Sequence, residues 1–204
     1  MRIKVCGLHP LRDVQLCIDL GVNFLGFVFY EKSPRNLNFE DVHKLKTYNK
    51  QNSFFTAVTV DPTNEFIKNV VCKNFDYIQL HGSETNERVN EIKSMGLKVI
   101  KAIKIKDHSD IENYKKYANA DVILFDTPGM EKSIEFPKNL ISKIPRGEKY
   151  ALAGSISQNN IENIAKLGVT FCDLSSSLEL DTQIGYKDHS KIKKFIKKVN
   201  ELKN

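Results

Sequence analysis

The sequence predicts an α/β protein folded as one (β/α)8 TIM barrel, a closed ring of eight parallel strands inside a shell of outer helices. Short β-branched or aromatic runs alternate along the chain with longer stretches whose apolar residues recur at helical spacing. Several of the runs, such as FFTAVTV at 54–60, are apolar on both faces, as parallel strands covered by helices should be. Polar and glycine-bearing residues follow nearly every run, which a barrel explains by gathering all strand C-termini around one mouth. That last feature weakens the competing open, doubly wound sheet.

Taken in order, the first strand is Ile3–Cys6, followed by a helical stretch at Leu11–Leu20. Strand two, Phe24–Phe29, leads into Phe39–Thr47, and strand three, Phe54–Val60, into Asn64–Val71. Strand four is Tyr77–Leu80 with a helix over Thr85–Met95, and strand five is Val99–Ile103 with one over Ser109–Tyr117. Strand six, Val122–Phe125, is followed only by a weak helix near Leu140–Ile144. Tyr150–Ala153 and Asn159–Lys166 form the seventh unit, and Phe171–Leu174 with His189–Val199 the eighth. Gly21, Gly96 and Gly168 each end a helical stretch before a strand, where a left-handed cap fits cheaply. Eight units share 204 residues without an interruption long enough for a boundary, so residues 1–204 read as one domain.

Composition narrows the function classes. The chain is 41% apolar and 27% charged, ordinary for a folded protein, with a net charge of +6. No run approaches 18 apolar residues, and the charge at Arg12 and Asp13 comes too early for a secretory signal, so neither a membrane span nor export is expected. The four cysteines lie far apart with no CxxC pair, which disfavours a zinc knuckle or disulfide scaffold and suits a reducing cytoplasm. His9, His43, His81, His108 and His189 form no HExxH or short ligand pair, and no flavin or nicotinamide fingerprint occurs, so no metal or cofactor is expected. The Lys-rich end, 191–198, carries Ile192, Phe195, Ile196 and Val199 at helical spacing and reads as the helix closing the barrel, not a nucleic-acid arm.

Chemistry is expected where strands end. Cys6 closes strand one before Gly7, and a thiolate there can abstract a proton if positive charge stands nearby; Cys17, Cys72 and Cys172 read as plain apolar cysteines. Asp126 ends the apolar run VILF, where a carboxylate is costly unless it faces the mouth, and it could return a proton to a leaving oxygen. Capping of the next turn through Thr127 is the structural alternative for Asp126. Arg35 has a planar fork suited to a substrate carboxylate, with a surface salt bridge as its alternative. His81 with Gly82 follows strand four, and Asp61 reads as a turn residue. Gly154–Ser155 after strand seven and Ser175–Ser177 after strand eight, including Ser176, occupy the positions where barrels commonly hold a phosphate.

These residues, with KVCG at 4–7, GFVFYEKSPR at 26–35, QLHG at 79–82, IKA at 100–102, LFDT at 124–127, LAG at 152–154, Gln158–Asn160, DLSS at 173–176 and GYKDH at 185–189, resemble the phosphoribosylanthranilate isomerases over the whole chain. The resemblance implies an Amadori rearrangement of N-(5-phosphoribosyl)anthranilate in tryptophan biosynthesis. It gives Asp126 the role of general acid, Cys6 that of general base and Arg35 the anthranilate carboxylate, with His81 and Asp173 shaping the substrate site. It also implies an anionic phosphoribosyl substrate and a monomer or homodimer. The chain differs from the family pattern at TPGMEKSIEFP, 127–137, in place of a glycine-rich run, and at Ser155 and Ser177 in place of glycines. The expectation is retained chemistry with a weakened hold on phosphate. A related phosphosugar isomerase or lyase, or a silent phosphosugar-binding protein, are the alternatives.

Overall fold

The computed structural model describes residues 1–9, 12–126 and 138–202. Eight parallel strands close into a barrel: β1 (Arg2–Cys6), β2 (Phe24–Phe29), β3 (Phe54–Thr59), β4 (Tyr77–Leu80), β5 (Lys98–Lys104), β6 (Val122–Asp126), β7 (Tyr150–Ala153) and β8 (Phe171–Leu174). Closure comes from β8 returning to β1 in the register Arg2↔Phe171 to Val5↔Leu174. All eight match the strands read from the sequence to within a residue or two at each end.

Period-two alternation sorts each strand into an outer and an inner face. Ile3, Val5, Leu25, Phe27, Ile78 and Ile123 face outward and form one continuous core with the helices. The inner face is a separate cluster whose floor is aromatic: Phe24 stacks on Phe171 at 4.9 Å between ring centroids and meets Tyr77 edge-on at 5.1 Å. The Arg2 guanidinium lies 4.6 Å from the Phe171 ring centre, a cation–π contact that seals this end. Above the floor the inner face turns polar and small, with Lys4, Gly26, Thr56, Gln79 and Asp173. Cys6, Val28 and Val58 cluster at the top.

The outer shell contains α1 (Val14–Asp19), α2 (Phe39–Val42), α3 (Asn64–Phe66), α4 (Cys72–Asn74), α5 (Asn86–Ser94), α6 (His108–Ile111), α7 (Lys138–Ile141), α8 (Ile161–Lys166) and α9 (His189–Glu201). The sequence places helices at all these positions except α4. The structure departs from α winding in three of them. Residues 43–47 and 112–117 wind as 3-10 turns, and 67–71 as a π turn that joins α3 to α4. Thr63 and Thr85 cap α3 and α5 by accepting from Phe66 N and Arg88 N, and Asp188 caps α9 by accepting from Ser190 N and Lys191 N. Gly96 ends α5 with φ +89°, the left-handed cap expected there.

Like α4, a hairpin after β8 has no counterpart in the sequence reading. Residues Glu179–Leu180 (β9) and Gln183–Lys187 (β10) form an antiparallel hairpin beyond β8. Its alternation is inverted: Ile184 and Tyr186 point outward, while Gly185 and Lys187 point in. An apolar-in pattern therefore does not reveal it.

Candidate active site

Every strand C-terminus opens on the same end of the barrel, and the candidate residues meet there because parallel strands all finish together. Cys6 caps β1 and is 9% exposed. Gly7 follows with φ +76°, and a Cβ on it would lie 2.5 Å from Cδ of Arg35. The glycine thus serves twice, permitting the left-handed turn and letting the arginine stem lie over the end of β1.

Arg35 is anchored before any substrate arrives. Its Nε and Nη2 donate to Oε1 and Oε2 of Glu179 at 2.5 and 2.9 Å, a bidentate pair. Glu179 also accepts from Lys187 Nζ at 3.0 Å and from Gly185 N at 3.1 Å, so the β9–β10 hairpin holds the arginine. A Cβ on Gly185 would meet the Pro34 carbonyl oxygen at 2.6 Å, which keeps hairpin and arginine loop in close contact. Lys187 Nζ reaches further to Ser175 O at 3.1 Å, and Ser175 Oγ donates to Cys6 O at 3.1 Å. Arg35 is linked to the Cys6 backbone through this chain of contacts.

Burial works against the Glu179 carboxylate, but Arg35, Lys187 and the Gly185 amide outweigh it and bring its pKa down to about 2 from 4.5. Such a group adds stability in full above its unfolded pKa and loses it as pH falls toward the folded value. Glu179→Gln is therefore expected to cost about 3 kcal/mol at pH 7. The difference from the parent should shrink to less than half at pH 3, read from urea unfolding at both pH values.

On the far side of the mouth, Asp126 ends β6 with Oδ2 3.0 Å from Nε2 of His81, which follows β4. The His81 loop is fixed from behind. Glu84 accepts from Gly82 N at 3.0 Å and from Asp61 N at 2.9 Å, and its Oε2 receives a bond from buried Lys101 at 2.7 Å. Asp61, at φ +45°, accepts from Ser83 N, the turn role the sequence suggests. A Cβ on Gly82 would strike the Asp61 carboxylate at 2.6 Å.

Asp173 lies between the two halves. Its Oδ2 receives the Lys4 ammonium at 2.8 Å, both side chains being buried within the barrel, while Oδ1 has no partner among the described residues. Asp173 pairs with Lys4 on β1 and with Ala153 on β7, which in turn pairs with Asp126, so the thiol side and the carboxyl side share one site. Lys4, Glu179 and Lys187 escape the sequence reading. Lys4 could have been found there, since period two puts it on the same face as Cys6.

The loops after β7 and β8 are neighbours because Ala153 pairs with Asp173. Gly154 has φ +92° and Ser155 φ +49°. Asn160 clamps the turn, donating from Nδ2 to Ser155 O at 2.7 Å and accepting from Ser157 N at 2.9 Å. Ser176 opens the 3-10 turn after β8, and the buried Ser177 Oγ has no partner among the described residues. The strain at Ser155 has a measurable consequence. Left-handed backbone costs a non-glycine residue about 1–2 kcal/mol, and glycine's extra freedom when unfolded returns about 0.5–1 kcal/mol of that. Ser155→Gly is expected to stabilise by about 0.5–1 kcal/mol, seen as a raised urea midpoint at unchanged slope. The segment 127–137 lies outside the described residues.

A barrel whose mouth gathers a thiol, a carboxyl–imidazole pair and a pre-anchored arginine belongs to the (β/α)8 barrels with sites fit for acid/base chemistry on an anionic small molecule. Comparison with known proteins narrows the class. The family model described as N-(5'-phosphoribosyl)anthranilate (PRA) isomerase matches residues 3–198, and the chain belongs to that family. It is 37% identical over 210 residues to the N-(5'-phosphoribosyl)anthranilate isomerase of Petrotoga mobilis, covering 100% of this chain and 99% of the relative. The crystal structure of phosphoribosyl anthranilate isomerase from Thermotoga maritima superposes with a TM-score of 0.86 at 29% identity, over 98% of this chain and 99% of that one. A structure of such an isomerase in complex with reduced 1-(o-carboxyphenylamino)-1-deoxyribulose 5-phosphate superposes at 0.84 with 28% identity, over the same shares.

Proposed function

We propose that this chain isomerises N-(5-phosphoribosyl)anthranilate to 1-(2-carboxyphenylamino)-1-deoxyribulose 5-phosphate, a step of tryptophan biosynthesis. The observation that carries the reading is the family match over residues 3–198 together with Cys6 and Asp126 at one mouth.

The chemistry divides between the two sides. Asp126, steadied by His81, gives its proton to the ribose ring oxygen; the C1–O bond breaks as the anilino nitrogen forms the Schiff base. The Cys6 thiolate then takes the proton from C2, and those electrons form the C1–C2 double bond of an enolamine. Ketonisation moves a proton from the C2 hydroxyl to C1, leaving the ketose. Arg35, fixed by Glu179, presents its remaining donors to the anthranilate carboxylate, and Asp173 lines the site beneath. Gly154, Ser155, Ser176 and Ser177 take the phosphate, on the neighbouring loops after β7 and β8.

The four cysteines are free, with Cys6, Cys17 and Cys172 buried, which supports a reducing cytoplasm. No helix among the described residues is long and apolar enough to cross a membrane. We read the chain as one domain acting as a monomer or homodimer, with no nucleic-acid or membrane partner. Carbon-13 NMR on substrate labelled at C2 tests the activity: a ketone carbon grows in faster than in the protein-free control. A spectrum indistinguishable from that control overturns the reading.

A further inference from the structure

We propose that Lys4 is the positioning residue that activates Cys6, its ammonium standing against the sulfur through a gap that Gly26 keeps open. The functional part of this inference rests on Cys6 being the base of the proposed isomerisation; the contact itself does not.

Lys4 and Cys6 are two residues apart on β1 and so share the inner face. Lys4 is 1% exposed, an extreme position for a lysine. Its hydrogen bond to Asp173 occupies one of three ammonium donors. The neighbouring strand shows what else the ammonium lies beside. A Cβ built on Gly26 would lie 3.0 Å from Cys6 Sγ, 3.0 Å from Lys4 Nζ and 3.1 Å from Cys6 Cα, so sulfur, ammonium and the β1 backbone all press on the same spot of β2.

Gly26 is not required by its backbone, since it is absent from the positive-φ residues that include Gly7 and Gly154. Its inner-face neighbours along β2 are Phe24 and Val28, both bulky. The single missing side chain on that face falls at the level where the ammonium must reach the thiol. Space, not conformation, is what the glycine supplies.

The groups around the sulfur separate the contributions. Lys4 comes from β1, Asp173 from β8 and Lys187 from β10, with the Arg35 stem over Gly7; β2 and β3 bring only Gly26, Val28 and Val58. Lys187 is already committed to Glu179 and Ser175. Asp126 and His81 act electrostatically on Asp173. Burial pushes the Cys6 thiol up, and Lys4 is the strongest influence in the opposite direction, ahead of the opposing Asp173 and of Lys187. Burial also works against the ammonium, but Asp173 and Cys6 overcome it and hold Lys4 protonated. Lys4 therefore supplies a fixed positive charge to the thiolate and exchanges no proton with the substrate.

A lysine present only to neutralise Asp173 would explain the ion pair but would leave the reactivity of Cys6 unchanged. Alkylation of Cys6 by iodoacetamide across pH, read on the Cys6 peptide by mass spectrometry, separates the two roles without substrate. In Lys4→Met the alkylation rate at pH 8 should fall about tenfold, as removal of one contacting opposite charge predicts. Lys4→Met/Asp173→Asn removes both charges and guards against misfolding from an orphaned carboxylate; its rate should stay below the parent's. Gly26→Ala should lower the rate with every charge retained, and Asp173→Asn alone should raise it. The acid limb of the kcat/KM profile should move to higher pH in Lys4→Met and Gly26→Ala. A folded double variant alkylated at the parent's rate overturns the proposal. Shifted alkylation in a protein that does not turn over N-(5-phosphoribosyl)anthranilate supports the Lys4 contact and overturns only the isomerase reading.

Discussion

Cys6→Ala is expected to lower kcat by about 10²–10⁴, the usual contribution of a positioned general base, with little change in KM. The side chain removed is small and sits at the end of β1, beneath the mouth but above the aromatic floor. Its neighbours Val28 and Val58 keep their own contacts, and the barrel closure through β1 and β8 is untouched. Arg35 remains held by Glu179, so the arginine proposed for the substrate carboxylate stays in place. Loss confined to kcat, with unchanged circular dichroism and thermal midpoint, assigns the thiol to the chemical step. An equal rise in KM at constant kcat would instead make Cys6 a binding residue.

Asp126→Asn is expected to give a second loss of about 10²–10⁴ in kcat, by removing the acid proposed to open the ring. Asparagine keeps the shape of the side chain and can hydrogen-bond His81 Nε2 as either donor or acceptor, so the geometry at the end of β6 is preserved. Only the transferable proton disappears. A residue that merely capped the turn after β6 would lose stability on this change and leave kcat alone. Turnover and urea unfolding measured on the same preparation separate the two roles.

The barrel was legible because its signals are periodic and local. FFTAVTV is apolar on both faces whatever packs against it, and Gly21, Gly96 and Gly168 mark helix ends by backbone demand alone. The mouth was legible for a related reason: Cys6, Arg35, His81 and Asp126 each stand at or just beyond a strand end, where a polar residue has no packing role to fill. The supporting groups were hidden by long-range pairing. Glu179 meets Arg35 across 144 residues of chain, and Asp173 meets Lys4 across 169. No spacing rule reports such contacts. The β9–β10 hairpin was hidden by inversion, since Ile184 is 63% exposed while Lys187 is buried. Ser155 shows a third limit: its hydroxyl invites a hydrogen-bonding role, whereas its measurable feature is the positive φ of the position.

The central claim is that a thiol and a carboxyl at one barrel mouth isomerise N-(5-phosphoribosyl)anthranilate. The most direct test follows the fluorescence of freshly generated substrate after addition of purified protein, with spontaneous breakdown subtracted and Cys6→Ala and Asp126→Asn run beside the parent. Fast decay is expected with the parent and decay near the background rate with either variant. Parent decay that both folded variants reproduce would contradict the acid/base assignment, and no protein-dependent decay at all would contradict the activity itself.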